Sequence, residues 1–330
     1  MIKKVIALII MIAASIAGAT PANTSDSNAE DHALQLEACS RIESPEGSGQ
    51  YQVFTETVEW EPAKTAIIIC DMWDKHWCPS ATARVAQMAP AIDGFIKAAR
   101  EKGILIVHAP SDCMRYYMNY PARERAKRAP RAANLPRGIK KENRWIDENE
   151  KAAGLPIDDS DGGCDTQDSK CRMSLRVWTR QIETIEIFYQ DVISDKGDEI
   201  WNVFEERGIE NVLLIGVHTN MCVVRRTFGL RNWAKYGKNV MLVRDLTDSM
   251  YNPQMPPYVD HFTATDLVVD HIEKYICPST ISTGITGTPP FKFDADIRQS
   301  EEYGKTRTCS GLISLPSRIA TFSMPESDNH

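Results

Sequence analysis

A cysteine that follows a predicted strand is the residue best placed in this chain to do chemistry. Residues 212–215 form a short apolar run that predicts a buried strand, and Gly216 ends it. Thr219 and Asn220 can both cap a helix, so we expect Cys222 in the first turn of a helix. Free N–H groups and a positive partial charge there would favour a thiolate, with a pKa of roughly 3.5–7.5. The alternative is that Cys222 is only a small buried apolar residue.

An aspartate at the end of a second apolar run is the next candidate. Residues 65–70, TAIIIC, suit a strand that is covered on both faces, and Asp71 follows them. The carboxyl ends of parallel strands share one edge of a sheet, where open α/β proteins bind their ligands. Asp71 could therefore exchange a proton with Cys222, and the alternative is a carboxylate that caps a loop. His108 likewise ends the next predicted strand, residues 104–107.

Strands that alternate with helices predict an α/β fold. Residues 81–102 have the pattern of a long helix that Gly103 closes, and the unit from Asp71 to His108 predicts a right-handed parallel crossover. We therefore expect an open, mostly parallel sheet with helices on both faces, in a Rossmann-like three-layer arrangement. Further strands are predicted at residues 184–188 and 239–243, and further helices at residues 199–207 and 258–275.

The amino terminus predicts export. Lys3 and Lys4 precede an apolar run over residues 5–17, and residues 17–19, Ala-Gly-Ala, fit a small-residue cleavage site. This pattern predicts a signal peptide over residues 1–22 and hence a periplasmic or secreted protein. The apolar run is too short to predict a stable membrane anchor.

The rest of the chain divides by composition. Residues 23–50 are polar and predict a flexible leader, and residues 51–280 are expected to form the folded domain. That domain carries an insertion at residues 110–180, and residues 281–330 form a C-terminal extension. The insertion is basic and aromatic over residues 115–144, which is usual for a solvated face. The alternative is a lid that brings cations to an anionic substrate.

Net charge and cysteine count limit the partners and the redox state. The 330 residues carry a formal net charge of −7, which favours a small-molecule substrate over nucleic acid. Nine cysteines leave at least one free thiol if the others pair, and Cys222 is our candidate for it. Cys164 and Cys171 are close enough in sequence to bridge a loop, although the spacing does not determine the connectivity.

Three segments carry a family resemblance, in the order TAIIICDMWD at residues 65–74, LLIGVHTNMCV at residues 213–223 and NVMLVRDLTDS at residues 239–249. Together they resemble the isochorismatase-like cysteine hydrolase superfamily, which includes nicotinamidases and N-carbamoylsarcosine amidohydrolases. The resemblance implies a Cys-Asp-Lys triad, a cis peptide between Val217 and His218, and a homo-oligomer. It makes Cys222 the nucleophile and Asp71 the group that accepts and returns its proton.

The lysine of that triad is missing from its expected segment. Residues 184–194 read TIEIFYQDVIS, and Glu186 or Tyr189 stands nearest the place of the lysine. A glutamate would oppose ionisation of Cys222 and Asp71 unless it is protonated or paired with a cation. We therefore take Glu186 as the third catalytic candidate. The candidate cations are His108, His218, Arg225 and a bound metal, and both histidines are also candidates for oxyanion or substrate binding.

The resemblance covers only half of the metal motif of nicotinamidases, which is Asp-x-His after the second strand. Residues 111–114, Ser-Asp-Cys-Met, keep Asp112 and lack the histidine. No metal ligand or cofactor is therefore predicted. A divalent ion such as zinc on a rearranged set, His76, His108 and Asp112, stays open as an alternative.

The resulting hypothesis is an exported hydrolase of a small amide-like C–N bond, in which Cys222 forms a covalent acyl-enzyme. Backbone amides near His218 and Cys222 would hold the oxyanion. One alternative is hydrolysis of a vinyl ether, which isochorismatases perform without a cysteine nucleophile. The other is a small-molecule binding protein that kept the fold and lost turnover.

Overall fold

An eight-stranded sheet forms the centre of the protein, and a computed structural model describes residues 33–166, 171 and 176–298. In chain order the strands are β1 (Leu34–Glu43), β2 (Tyr51–Trp60), β3 (Thr65–Cys70), β4 (Leu105–Ala109), β5 (Val192–Ile193), β6 (Asn211–Val217), β7 (Asn239–Asp248) and β8 (Ser279–Thr280). They lie side by side in the order β2-β1-β8-β7-β6-β3-β4-β5. Strand β1 is antiparallel to β2 and to β8, and the other neighbours are parallel. The predicted open, mostly parallel sheet is thus confirmed.

The central strands are buried along their whole length because packed layers cover both faces of the sheet. Ile68 of β3 lies opposite Leu214 of β6 and Val107 of β4. Since neighbouring residues of a strand point to opposite faces, Ile67 and Ile69 join one apolar layer and Ile68 joins the other. Apolar runs without alternation are the sequence pattern that this double coverage produces.

Helices lie on both faces of the sheet. Helix α1 packs Val85, Ile92 and Ile96 into one apolar layer, and helix α4 packs Trp201 and Phe204 into the other. The α-helices of the described residues are α1 (Pro79–Glu101), α2 (Pro121–Arg128), α3 (Glu148–Ala153), α4 (Gly197–Arg207), α5 (Leu230–Lys235), α6 (His261–Tyr275) and α7 (Thr283–Thr286).

Two predicted segments differ from the structure. Strand β1, Leu34–Glu43, lies within the predicted leader, because its alternating residues give it an apolar face that packs against the core. Residues 184–188 do not form a strand. The Arg100 guanidinium donates to the Glu186 carbonyl, and Asp93 accepts from the Glu186 N–H, so side chains of α1 satisfy this backbone. The strand at this edge of the sheet is β5 instead, next to β4.

The predicted signal peptide and most of the C-terminal extension lie outside the described residues. Among the residues that the structure describes, no helix has both the length and the apolar character needed to cross a membrane.

Candidate active site

The site begins where β6 ends, in the turn that carries Cys222. The peptide bond between Val217 and His218 is cis, as the family resemblance implies. Gly216 has a φ of +100°, and a Cβ atom at this position would lie 2.1 Å from the carbonyl oxygen of Cys70 on β3. Only glycine therefore fits between the two strands here. Residues Thr219–Val223 form a π-helical turn, so Cys222 lies in a helical turn directly after β6, as predicted, but this turn is of π type.

Side chains that were predicted to cap a helix fix this turn to the end of β7 instead. The Thr219 and Thr247 hydroxyls lie 2.7 Å apart, and Thr247 also donates to the Gly216 carbonyl. The Asn220 amide donates to the carbonyl of Met250 and accepts from the Met250 N–H, at 3.0 and 2.9 Å. Both side chains are buried, and neither makes a cap hydrogen bond. The turn is therefore held by tertiary contacts.

Asp71 lies beside this turn at the end of β3, with a fully buried carboxylate. Its backbone adopts a φ of +47°, which is uncommon outside glycine and is typical of functional turns. The Ser111 N–H donates to Oδ1 at 2.6 Å. The other oxygen, Oδ2, has no well-formed hydrogen bond within the described part of the chain. Asp71 and Cys222 interact directly, so Oδ2 is available to accept the thiol proton.

A cation that sequence reasoning missed completes the cluster. Arg226 Nε lies 3.5 Å from Asp71 Oδ2, and the Arg226 guanidinium also donates to Glu142 at 3.0 Å. Its charge acts on both Cys222 and Asp71. Arg226 follows Cys222 by four residues, a spacing that puts two side chains on one side of a helical turn. This spacing is the feature of the sequence from which Arg226 could have been predicted as a neighbour of Cys222. Arg225, the predicted candidate, is half-exposed and lies near Glu142 instead.

The protonation states follow from burial and from these charges. Burial raises the pKa of the Cys222 thiol well above its usual range, the Asp71 carboxylate raises it further, and Arg226 opposes both effects. Burial also raises the pKa of Asp71, whereas Arg226, Cys222 and Ser111 lower it. The lowered thiol pKa that we predicted from a helix start is therefore not found. The resting pair is a thiol beside a carboxylate that is more basic than an exposed one.

Glu186 does not lie in this cluster. Its half-exposed carboxylate pairs with Lys97 of α1 at 3.2 Å. The backbone contacts with Asp93 and Arg100 fix the same segment to α1, on the face of the sheet opposite the Cys222 layer. The expected position of Glu186 beside Cys222 and Asp71 is therefore not found, and the charged side chain beside them is that of Arg226.

His108 is also placed away from the site. It is fully buried in β4, where Nδ1 lies 3.0 Å from Gln181 and Nε2 lies 3.1 Å from Asp191. Both ring nitrogens thus have partners. The ring points to the opposite face of the sheet from Val107, which packs in the same apolar layer as Cys222. His108 holds the edge of the sheet together and does not reach an oxyanion near Cys222.

His218 does lie at the site, directly before the Thr219–Val223 turn that carries Cys222. Its ring packs edge-on against His76 at 5.0 Å, and its Nε2 is buried without a hydrogen-bond partner among the described residues. Burial lowers the pKa of both rings, to about 4 for His76, so both are neutral at pH 7. His76 also stacks with Trp73 and Trp178, whose rings are 4.3 Å apart. The rings of His76, Trp73 and Trp178 thus form an aromatic wall that borders the site and carries no charge.

The residues considered for a family-type metal site do not converge. His108 has both nitrogens occupied in the interior of the sheet, whereas His76 lies in the aromatic wall. Asp112 has a φ of +65°, and its backbone N–H donates to Asp195. These side chains therefore do not fit a shared divalent ion, and we derive no catalytic step through a metal.

Three solved structures resemble the chain. A cysteine hydrolase from Pseudomonas syringae pv. phaseolicola 1448A is 16% identical, with 70% of this chain and 95% of that chain covered and a TM-score of 0.42. An isochorismatase family protein from Burkholderia thailandensis is 11% identical, with 68% and 95% covered and a TM-score of 0.38. An isochorismatase family protein from Desulfovibrio vulgaris subsp. vulgaris str. Hildenborough is 13% identical, with 63% and 89% covered and a TM-score of 0.32.

The chain resembles isochorismatase-family proteins. No protein-family model matches the sequence, and no curated protein matches it. Because the identities are low and the TM-scores are below 0.5, the chemistry of this chain rests on its own contacts at Asp71, Cys222 and Arg226.

Proposed function

We propose that the protein is a cysteine hydrolase that cleaves a small amide-like C–N bond through a Cys222 acyl-enzyme. One observation carries the proposal. The Cys222 thiol, a buried carboxylate with a free oxygen and a guanidinium 3.5 Å from that oxygen meet at the carboxyl edge of a parallel sheet. A nucleophile, a proton acceptor and a fixed positive charge are the groups that acyl transfer requires.

Acylation would begin with attack of Cys222 Sγ on the substrate carbonyl carbon. The thiol proton moves to Asp71 Oδ2 as the S–C bond forms, because a neutral thiol is a weak nucleophile and the carboxylate is its base. The backbone amides of His218 and Cys222 would hold the oxyanion. Collapse of the tetrahedral intermediate breaks the C–N bond, and Asp71 returns the proton to the leaving nitrogen. The products of this half-reaction are a free amine and a thioester.

Deacylation would use the same carboxylate a second time. Asp71 takes a proton from a water molecule, whose oxygen attacks the thioester carbonyl. The C–S bond then breaks, the carboxylic acid leaves, and the proton returns to Cys222 Sγ. Arg226 favours both half-reactions, because its charge stabilises the negative charge that moves between Asp71 and the sulfur.

The direct test compares Cys222→Ala with Cys113→Ala on a panel of small amides. Both cysteines are buried free thiols, so the two variants make similar cavities. We expect Cys222→Ala to lose turnover while its circular dichroism spectrum is unchanged, and Cys113→Ala to keep turnover. Mass spectrometry of quenched wild-type enzyme should show the acyl adduct on the peptide that contains Cys222. Undiminished turnover in folded Cys222→Ala would exclude the covalent mechanism.

Vinyl-ether hydrolysis is the rival chemistry, and it needs no thiol nucleophile. The buried Cys222 beside Asp71 favours acyl transfer, because a thiol next to a base has no role in protonation of an enol ether. Turnover of a vinyl ether by folded Cys222→Ala would favour the rival. The remaining alternative is a binding protein, for which wild-type protein would bind small amides with no product and no adduct.

Export is a separate proposal that rests on the amino-terminal pattern of two lysines, an apolar run and a small-residue site. The mature chain should begin near Thr20 or Asn23. Amino-terminal sequencing of protein from the native host tests this start, and a sequence that begins at Met1 would contradict it.

A further inference from the structure

Three cysteine sulfurs meet in a cluster that the proposed reaction does not use, in which Cys78 is buried and the other two are partly buried. The sulfur atoms of Cys78, Cys164 and Cys171 all lie within 4.8 Å of one another. Cys164 and Cys171 form a disulfide, which confirms the pairing considered from their spacing, and Cys78 is a free thiol. The disulfide accounts for two of the three sulfurs, and it does not explain why the Cys78 thiol lies beside them.

A carboxylate lies next to one of the three sulfurs. Asp165 Oδ1 lies 3.6 Å from the fully buried Cys78 sulfur, and Asp165 Oδ2 pairs with Arg84 at 2.7 Å. Arg84 is fixed in turn by Asp248, also at 2.7 Å. A carboxylate that is oriented by a second charged partner is the usual arrangement around a metal ligand.

We propose that the reduced cluster is a binding site for a thiophilic divalent ion, Zn²⁺, with Cys78, Cys164, Cys171 and Asp165 as ligands. Three thiolates and one carboxylate form a tetrahedral donor set of the kind that zinc prefers. Zn–S bonds of about 2.3 Å place the sulfurs of a tetrahedral site about 3.8 Å apart. The Cys78 sulfur already lies within 4.8 Å of the other two, and the Cys164 and Cys171 sulfurs must move apart once their bond is reduced.

The disulfide and the metal exclude each other, which makes the site sensitive to reduction. A dithiol reductant gives two electrons and two protons to the Cys164–Cys171 bond and becomes a cyclic disulfide. Binding of Zn²⁺ then releases the protons of the thiols that become thiolate ligands. Cys78 packs with Met250 in one apolar cluster, and Arg84 would offset part of the negative charge of the ligands.

The test uses the full mature chain in a Cys222→Ala background, so that the proposed nucleophile cannot bind metal. Protein reduced with a dithiol under anaerobic conditions is titrated with Co²⁺ and then with Zn²⁺. We expect thiolate-to-cobalt charge-transfer absorbance, its loss on addition of Zn²⁺, and one Zn²⁺ per chain. Oxidised protein should bind at least roughly 100-fold more weakly, since two ligands are then in the disulfide.

Ligand variants decide whether this cluster is responsible. Cys78→Ser should weaken Zn²⁺ binding by more than about 100-fold, and Asp165→Asn by roughly 10-fold. Cys277→Ser is the matched control, because Cys277 is a buried free thiol outside the cluster, and it should bind like the parent. The proposal is overturned if reduced, folded parent shows no cobalt–thiolate absorbance, or if folded Cys78→Ser binds as tightly as the parent. Neither result depends on amide turnover.

Discussion

Arg226 Nε lies 3.5 Å from Asp71 Oδ2, so a guanidinium stands next to the buried carboxylate that contacts Cys222. The two residues are 155 positions apart in the chain, and the parallel pairing of β3 with β6 brings their elements together. The cation follows Cys222 by four residues and does not come from residues 184–194, where the lysine was expected. The charged residue beside Asp71 and Cys222 therefore differs from the expected lysine in type and in position in the chain.

Removal of the Arg226 charge should slow the reaction strongly. We expect Arg226→Gln to lower kcat/KM by about 10²–10³-fold, the effect of losing one group that stabilises transition-state charge. Arg226→Lys should recover part of this loss, because it restores the charge without the planar geometry. Arg225→Gln is the control, since Arg225 is half-exposed and farther from Asp71, and it should change kcat/KM much less. Equal effects of the two glutamine variants would contradict the assignment.

The rate should fall at acidic pH because Asp71 must be ionised to accept the thiol proton. Burial raises the pKa of Asp71, so the midpoint of the acid limb of kcat/KM should lie above about 3.9, the ordinary aspartate value. Arg226 lowers the pKa of Asp71, so Arg226→Gln should move that midpoint to higher pH. A midpoint at or below the ordinary value in wild-type enzyme, measured with a substrate that does not titrate, would argue against Asp71 as the base.

Glu186 should be dispensable for the chemistry. Its carboxylate is half-exposed and paired with Lys97, so Glu186→Gln and Glu186→Lys should leave the pH profile of Cys222 alkylation unchanged. The profile is measured by mass spectrometry of the Cys222 peptide after timed reaction with iodoacetamide. A shift in the acid direction for Glu186→Lys in folded protein would return Glu186 to the site.

Asp248 should be important for stability, because its buried carboxylate bridges Arg84 and His261 at 2.7 and 2.9 Å. Asp248→Asn should lower the free energy of unfolding at pH 7 by about 3 kcal/mol. These partners lower the pKa of Asp248 against the effect of burial, so its contribution is present above the unfolded value. The difference between wild type and variant should therefore shrink only below about pH 4.

Urea unfolding at pH 7, 5 and 3.5 measures that difference. The control is Asp198→Asn, which removes the partner of the exposed Lys140 and should cost less than about 1 kcal/mol. A difference for Asp248→Asn as small as that of the control would show that the Arg84 pair contributes little.

The sequence by itself determined the parts of this protein that are local in the chain. Apolar runs at residues 65–70 and 212–215 indicated buried parallel strands, since double coverage leaves no alternation to see. The residues that follow them, Asp71 and the Cys222 turn, were therefore predicted to meet at one edge of the sheet, and they do so.

The tertiary structure decided what depends on side-chain direction and on charge across elements. His108 points away from Cys222 because β4 alternates its side chains between the two faces of the sheet. Glu186 is not in a strand, and its contacts with Lys97, Asp93 and Arg100 of α1 hold it on the other face. Arg226 lies 3.5 Å from Asp71 because the pairing of β3 with β6 brings the segments after these two strands together. The thiol pKa rises and does not fall, since burial outweighs the charge of Arg226. The hydrophobic pattern of the sequence indicates which residues are buried, but it does not indicate which buried side chains contact one another.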